Sequence, residues 1–436
     1  MTANPSEIPA LKAALQAAWR RSDQLFELLP PDGWMDRPIG LRHPFVFYVG
    51  HLPAFLWNQV GGGVLGLPSE TPELDALFER GIDPLSEAGA AEATIDAWPE
   101  RDTILGYRDR IRAWTLDESF DRVQEATGDL AEHFRVHRLA LEHELMHHET
   151  LLYMLHEQPV ERLRQGKLPG PVTGPARAAT PVDIPAGRAR IGASWESIPF
   201  GWDNEFPAQD VPVDAFRIDD LPVTVEAYRA FVDAGGYADR RWWDDAAWDW
   251  LAGRARPHGW VDGPDGVVVR SLFAWVPLDD AAGWPVQVSH AEAIAYCRWA
   301  GGRLPTEAEL HRAAYGDDER AYPWGDEAPT EAHGVFHFDL WSPEPVGRRP
   351  GGASPFGVQE LVGNGWEWTS TPFRPLPGFK AWAHTYPGYS ADFFDDAHFV
   401  VFGGSWATDR VLLRRSLRNW YQGHYPYVFS AFRVVR

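Results

Sequence analysis

Apolar residues recur at helical spacing through the first third of the chain. Leu11, Leu15, Trp19, Leu25 and Leu28 form one series, and Ile104, Tyr107, Ile111 and Trp114 another. A three-to-four residue period sets one face of a helix against a core. The stretch LALEHELMHHETLLYML, residues 139–155, has the length and composition of a buried helix. A helical bundle is therefore predicted over residues 1–157. Through 158–186 the pattern dissolves into PVERLRQGKLPGPVTGPARAATPVDIPA, where prolines remove amide donors and glycines loosen the backbone, which predicts a linker. Over 187–436 short apolar runs are broken by Gly, Pro and Asp, with brief helical patterns only near 225–232 and 290–299. This predicts an irregular, loop-rich α+β domain. No repeat of fixed period appears in either half, which argues against a solenoid or propeller.

Composition adds bounds. A chain of 436 residues, 44% hydrophobic, is long for one domain, so two are expected. Forty basic against sixty-two acidic side chains give a formal charge of -22, which repels phosphate backbones and anionic lipid. Nucleic acid and membrane are not expected partners. The single cysteine, Cys297, cannot form an internal disulfide, and residues 1–21 show no charged-then-apolar leader. A cytoplasmic protein is expected, its 22 tryptophans going into cores and sites.

The chemistry concentrates on histidine. At 100° per residue, Leu139, His143, Met146, His147, Thr150 and Met154 fall on one side of the predicted helix. An i, i+4 pair of imidazoles points two nitrogens the same way, as two ligands of one metal require, and burial keeps the rings neutral. Two hydrogen-bonded core histidines are the plainer alternative. His143, Glu144 and His147 also satisfy the H-E-x-x-H pattern of zinc proteases, with Glu144 as general base. The chain beyond this helix, however, reads as a linker and a Trp-rich region, not as a third ligand and a cleft. Upstream, HPFVFYVGHLPAFLWNQV (43–60) offers His51 among Phe47, Leu52 and Phe55, while His43 before Pro44 reads as a turn. Spacing alone does not select His51.

GHLPAFLW, with His51, and HELMHHETLLYM, with His143 and His147, resemble the helical DinB-like half of the ergothioneine-type sulfoxide synthases. In that family an early-helix histidine and an H-x-x-x-H-x-E segment bind iron. The rest resembles the formylglycine-generating-enzyme (sulfatase-modifying factor) domain, a C-type-lectin-like fold. The matching stretches include PVTVEAYRAFVDAGGY, PVQVSHAEAIAYCRWAGGRLPTEAELHRAA, GVQELVGNGWEWTS and the terminal FSAFRVVR. The resemblance covers nearly the whole chain. It implies an α+β protein with a DinB-like four-helix bundle over 1–157, the linker 158–186, and a C-type-lectin-like domain over 187–436. It further implies Fe(II) on His51, His143 and His147, O2 as cosubstrate, and trimethylhistidine (hercynine) as substrate. Three neutral imidazoles also suit zinc, so iron comes from the resemblance and not from spacing. The copper-binding cysteine pair of the formylglycine enzyme is absent, and Cys297 is expected in the core.

Within TYPGYSADFF, Tyr386 resembles the family's proton-supplying tyrosine, and Tyr389 one that lines the hercynine pocket. Within SLRNWYQGHYPY, the Asn419–Trp420 pair resembles the family's hercynine-recognising pair, the amide meeting the carboxylate and the indole the trimethylammonium. A quaternary ammonium has no hydrogen to donate and is best held by aromatic faces. Three departures from the γ-glutamylcysteine-using members stand out. Tyr421 takes the place of an Asp, Met146 that of a Gln, and the acid-rich ALFERGIDPLSEAGAAEATID keeps only Arg80 where two arginines hold the dipeptide. These favour a neutral, sugar-like chalcogen donor and resemble the selenoneine-forming branch, which joins hercynine to a selenosugar. An ergothioneine- or ovothiol-type synthase using cysteine or γ-glutamylcysteine is the alternative within the class. A zinc-dependent DinB-like thiol transferase and a non-catalytic hercynine-binding module are the alternatives outside it.

Overall fold

The computed structural model describes residues 5–79, 98–166, 168–382 and 389–436. They divide into two compact units, one holding the chain up to Gly166 with Ile198–Phe200, the other holding the rest.

In the first unit the helical spacing becomes four long helices among the described residues: α1 (Ile8–Glu27), α2 (Phe45–Leu56), α4 (Arg101–Trp114) and α6 (Arg135–His156). Two short ones, α3 (Pro72–Phe78) and α5 (Phe120–Glu125), complete it. The predicted stripe Leu11, Leu15, Trp19 and Leu25 is buried on α1. Every residue of α2 is buried, as its unbroken apolar run requires, and the helix widens into a π-type turn over Trp57–Val64. α6 is the buried helix that the length and composition of 139–155 predict. Over 135–155 only Arg138 and Met146 escape full burial. The polar residues on its other faces are buried against partners: Ser119 Oγ meets His137 Nε2 at 2.9 Å, and Ser22 Oγ meets His148 Nε2 at 2.9 Å and also bonds Glu144. Hydroxyls supplied by other helices thus satisfy these groups, a compensation that periodicity cannot register.

The second unit is built from short strands. β1 (Pro181–Ile184) pairs with β4 (Phe216–Asp219), and β2 (Gly187–Ile191) with β3 (Gln209–Val213). β5 (Trp260–Gly263), β6 (Gly266–Ser271) and β7 (Ala274–Pro277) form an antiparallel sheet. A four-stranded sheet runs in the order β10-β9-β8-β11, with β8 (Trp366–Pro372), β9 (His398–Phe402), β10 (Asn419–Gln422) and β11 (Ser430–Ala431). The helices are α7 (Val225–Asp233), α8 (Asp245–Leu251), α9 (His290–Trp299) and α10 (Glu307–Tyr315). Spacing predicted α7 and α9. It missed α8, too short at seven residues to develop a period, and α10. α9 and α10 both open on reciprocal caps, Ser289 with Glu292 and Thr306 with Glu309. Cys297 is buried on α9, as expected of a core thiol.

The stretch read as a linker over 158–186 is only partly one. Its end forms β1, and before that the carbonyls of Val172 and Gly174 accept hydrogen bonds from Trp284 Nε1 at 2.7 Å and Gly283 N at 3.0 Å. Proline-rich chain needs no amide donors to be held this way, because its carbonyls serve as acceptors. Among the described residues no helix is long and apolar enough to cross a membrane.

Candidate functional site

His51 on α2 and His143 and His147 on α6 come together, all buried, with one ring nitrogen of each within 4.8 Å of the others. His143 Nε2 and His147 Nε2 are 3.1 Å apart. Two nitrogens each about 2.1 Å from one ion lie about 3.0 Å apart at a right angle and about 3.4 Å apart at the tetrahedral angle. The spacing of this pair suits either angle, so it does not choose between iron and zinc.

His51 carries the clearest sign of a prepared ligand. Its Nδ1 meets the Phe78 carbonyl at 2.7 Å, which fixes the proton on Nδ1 and turns the lone pair of Nε2 inward. That Nε2 is buried and has no hydrogen-bond partner. A buried acceptor left open in this way calls for an explanation, and a metal ion supplies one. Burial lowers all three imidazoles, His51 to about 4 against the pull of the Phe78 carbonyl, and His143 and His147 well below the ordinary value. All three are neutral, as coordination requires. Aromatic rings hold them in place: Phe47 stacks on His51 with centroids 4.8 Å apart, and Phe55 on His143 at 3.5 Å.

Two residues that prepare this site were not singled out from the sequence. Phe78 ends α3, where carbonyls lack helical partners, and so is available to His51. α3 is fixed in turn by Tyr107 of α4, whose hydroxyl donates to Asp75 at 2.6 Å. Gly50 is the second: a Cβ there would lie 2.4 Å from the Phe78 ring. A glycine inside an all-apolar helix was the available signal, since it marks a close approach.

Glu144 takes no part in this cluster. Its carboxyl bonds Ser22 of α1, and burial raises it above the usual carboxylate range despite Arg112 and Ser22. A carboxyl bonded to Ser22 and outside the histidine cluster does not match the general base of the H-E-x-x-H reading. Met146 is half-buried on α6. Tyr386 and Arg80 lie outside the described residues.

In the second unit Trp420 sits on β10, its ring stacked on Phe373 with centroids 4.1 Å apart and an 8° tilt. Tyr389 meets Trp420 edge-on at 5.4 Å and stacks on Trp202 at 4.1 Å. Both are half-buried, so together they form an aromatic wall with surface to offer. Asn419 and Tyr421 leave β10 on the opposite face, because side chains alternate along a strand. The Asn419 amide is spent locally: Oδ1 accepts from Trp420 N at 2.8 Å, and Nδ2 donates to Tyr421 Oη at 3.3 Å. The adjacency of Asn419 and Trp420 in sequence is thus not adjacency on one face. Trp202 and Phe373 belong to this wall, and the sequence reading missed them because Trp and Phe are common throughout the region.

A helical unit with a three-histidine candidate metal centre, joined in sequence to a mixed unit of short strands with an aromatic wall, defines a class of two-domain protein. Residues 14–151 match the DinB superfamily, and residues 169–436 match the sulfatase-modifying factor enzyme 1-like domain. The hercynine oxygenase of Mycolicibacterium thermoresistibile is 40% identical over 411 residues, covering 91% of this chain and 87% of that protein. That of Mycolicibacterium smegmatis is 36% identical over 409 residues, covering 91% of each. The ergothioneine biosynthesis protein 1 of Neurospora crassa is 29% identical over 527 residues, 99% of this chain and 58% of that protein. This chain belongs to the hercynine oxygenase family of ergothioneine-type sulfoxide synthases, a family of oxidoreductases.

Proposed function

We propose that this protein is an oxygen-dependent, mononuclear non-heme Fe(II) enzyme that joins a chalcogen to the imidazole ring of hercynine, with a selenosugar as the donor. The observation that carries the reading is His51, whose Nδ1 is held by Phe78 while its buried Nε2 is open beside His143 and His147. Ferrous iron held by His51, His143 and His147 would supply redox chemistry with dioxygen.

The chain's own residues do the rest. Phe47 and Phe55 pack on the ligand rings and keep water from them. Trp420 and Tyr389 present aromatic surface suited to a trimethylammonium group. Tyr386 supplies a proton from its phenol, which stays neutral at pH 7. The donor assignment rests on three residues. Tyr421, a neutral phenol, replaces an acid; Met146 replaces an amide; and Arg80 is alone in the acid-rich stretch 76–96. Acids with one arginine among them repel a dianionic dipeptide, and a neutral phenol such as Tyr421 suits a sugar better.

The test is reconstitution with ferrous iron without oxygen, followed by air, hercynine and either a selenosugar or γ-glutamylcysteine, with products read by mass spectrometry. A selenium-bearing hercynine adduct formed only from the selenosugar is expected. A sulfoxide from the thiol would return the protein to ergothioneine synthesis, and no oxygen-dependent product from either donor would sink the iron-oxygenase reading. His147→Ala should abolish iron binding, and Tyr386→Phe should keep hercynine binding while impairing bond formation.

A further inference from the structure

The turn Asp203–Glu205 connects two segments that are far apart in sequence and carry the two halves of the aromatic wall. Asp203 is buried, and its two oxygens go in different directions. Oδ1 accepts from Ser390 Oγ at 2.7 Å, and Oδ2 accepts from the main-chain N–H of Trp382 at 3.3 Å. Ser390 directly follows Tyr389. On its other side the same turn is tied to the chain entering β10. The Glu205 carboxylate accepts from Arg414 Nε at 2.8 Å and Ser416 Oγ at 2.7 Å, and Arg418 Nη1 donates to the Asn204 carbonyl at 3.3 Å. Trp420 comes two residues later. Next to the turn, Trp202 stacks on Tyr389.

We propose that Asp203 is a positioning residue, its single buried carboxylate tying segment Tyr389–Ser390 to the Trp382 main chain and so fixing the Tyr389 ring against Trp420. The assignment of a ligand to that wall rests on the hercynine reading above; the tie itself does not. Rings held before the ligand arrives need not be ordered by it. A buried carboxylate near aromatic rings could instead act by its charge on a cationic ligand, and the isosteric amide separates the two roles. In Asp203→Asn the amide oxygen still accepts from Trp382 N–H, and the amide N–H donates to Ser390 Oγ, whose hydroxyl can rotate. Position is kept and charge is lost.

The experiment compares full-length wild type, Asp203→Ala, Asp203→Asn and Ser390→Ala by amide hydrogen exchange and by hercynine titration. Asp203→Ala should speed exchange about tenfold or more in peptides that carry Trp382 or segment Tyr389–Ser390, leaving α6 unchanged. It should also weaken hercynine binding about tenfold, whereas Asp203→Asn stays within about threefold of wild type on both readouts. Ser390→Ala, which removes one tie, should fall between them and carries the test if Asp203→Ala does not fold. Exchange in the segment unaltered by Asp203→Ala and Ser390→Ala would overturn the proposal. So would an Asp203→Asn variant as impaired as the alanine. Wild type that binds no hercynine, with the segment still loosened in Asp203→Ala, would sink the hercynine reading and support the tie.

Discussion

The Nδ1 of His51 and the main-chain carbonyl of Phe78 lie 2.7 Å apart, so a residue 27 positions along the chain decides which nitrogen of that imidazole faces its two neighbours. Phe78 can stand there because Gly50 has no side chain to exclude its ring.

Gly50→Ala therefore tests the support of the metal centre without touching a ligand. The new Cβ would sit 2.4 Å from the Phe78 ring, and the ring must move, taking its carbonyl with it. Iron affinity should fall about 10- to 100-fold, as when a ligand's hydrogen-bond partner is lost. Stability should fall by about 1–3 kcal/mol from overpacking. Competition with a chelator and urea unfolding measure the two, and affinity equal to wild type would remove Phe78 from the site.

Glu144→Gln should leave iron content unaltered and change stability by less than about 1 kcal/mol. Burial already holds this carboxyl toward its neutral form beside Ser22, and an amide occupies nearly the same volume. Loss of metal in this variant, read by elemental analysis, would restore Glu144 to the centre.

Trp420→Ala should weaken hercynine binding about tenfold, the roughly 1.4 kcal/mol expected of an aromatic face on a partly desolvated quaternary ammonium. Binding of unmethylated histidine should change much less. Trp420→Phe should retain part of the affinity, since Phe373 still backs the ring position. Titration of both ligands against the three proteins decides it; equal losses for hercynine and histidine would argue against a cation-binding wall.

Acid should destabilise both units. Burial lowers His137 and His290 to about 3 and His311 to about 4. Below the ordinary value of about 6.5, the unfolded chain takes up protons that the folded one refuses. The stability these three histidines contribute is therefore fully present above about pH 6.5 and is lost as pH falls toward 3–4, against the opposite effect of buried carboxyls such as Glu360, which burial raises to about 7. Between pH 6.5 and 5 each fully buried histidine accounts for roughly 1–2 kcal/mol. Urea midpoints at pH 7 and 5 should differ more in wild type than in His137→Phe; equal differences would show that this ring protonates in place.

By itself the sequence determined the long helices, the division into a helical and a mixed half, and the pairing of His143 with His147. Each is local, fixed by a 3.6-residue period or a four-residue spacing, and the family emerged from ordered motifs along nearly the whole chain. Tertiary structure decided what depends on distant partners. His51 joined the other two histidines only once α2 packed near α6, and its tautomer depended on the end of α3. Asn419 and Trp420, adjacent in sequence, were sent to opposite faces because β10 is a strand. Residues 168–186 of the expected linker became part of the second unit, since carbonyls in a proline-rich segment can be bonded without any signal in hydropathy. Buried polar groups are satisfied by whichever groups the fold brings near, so Ser22, Phe78 and Asp203 could be recognised only after the chain had closed around them.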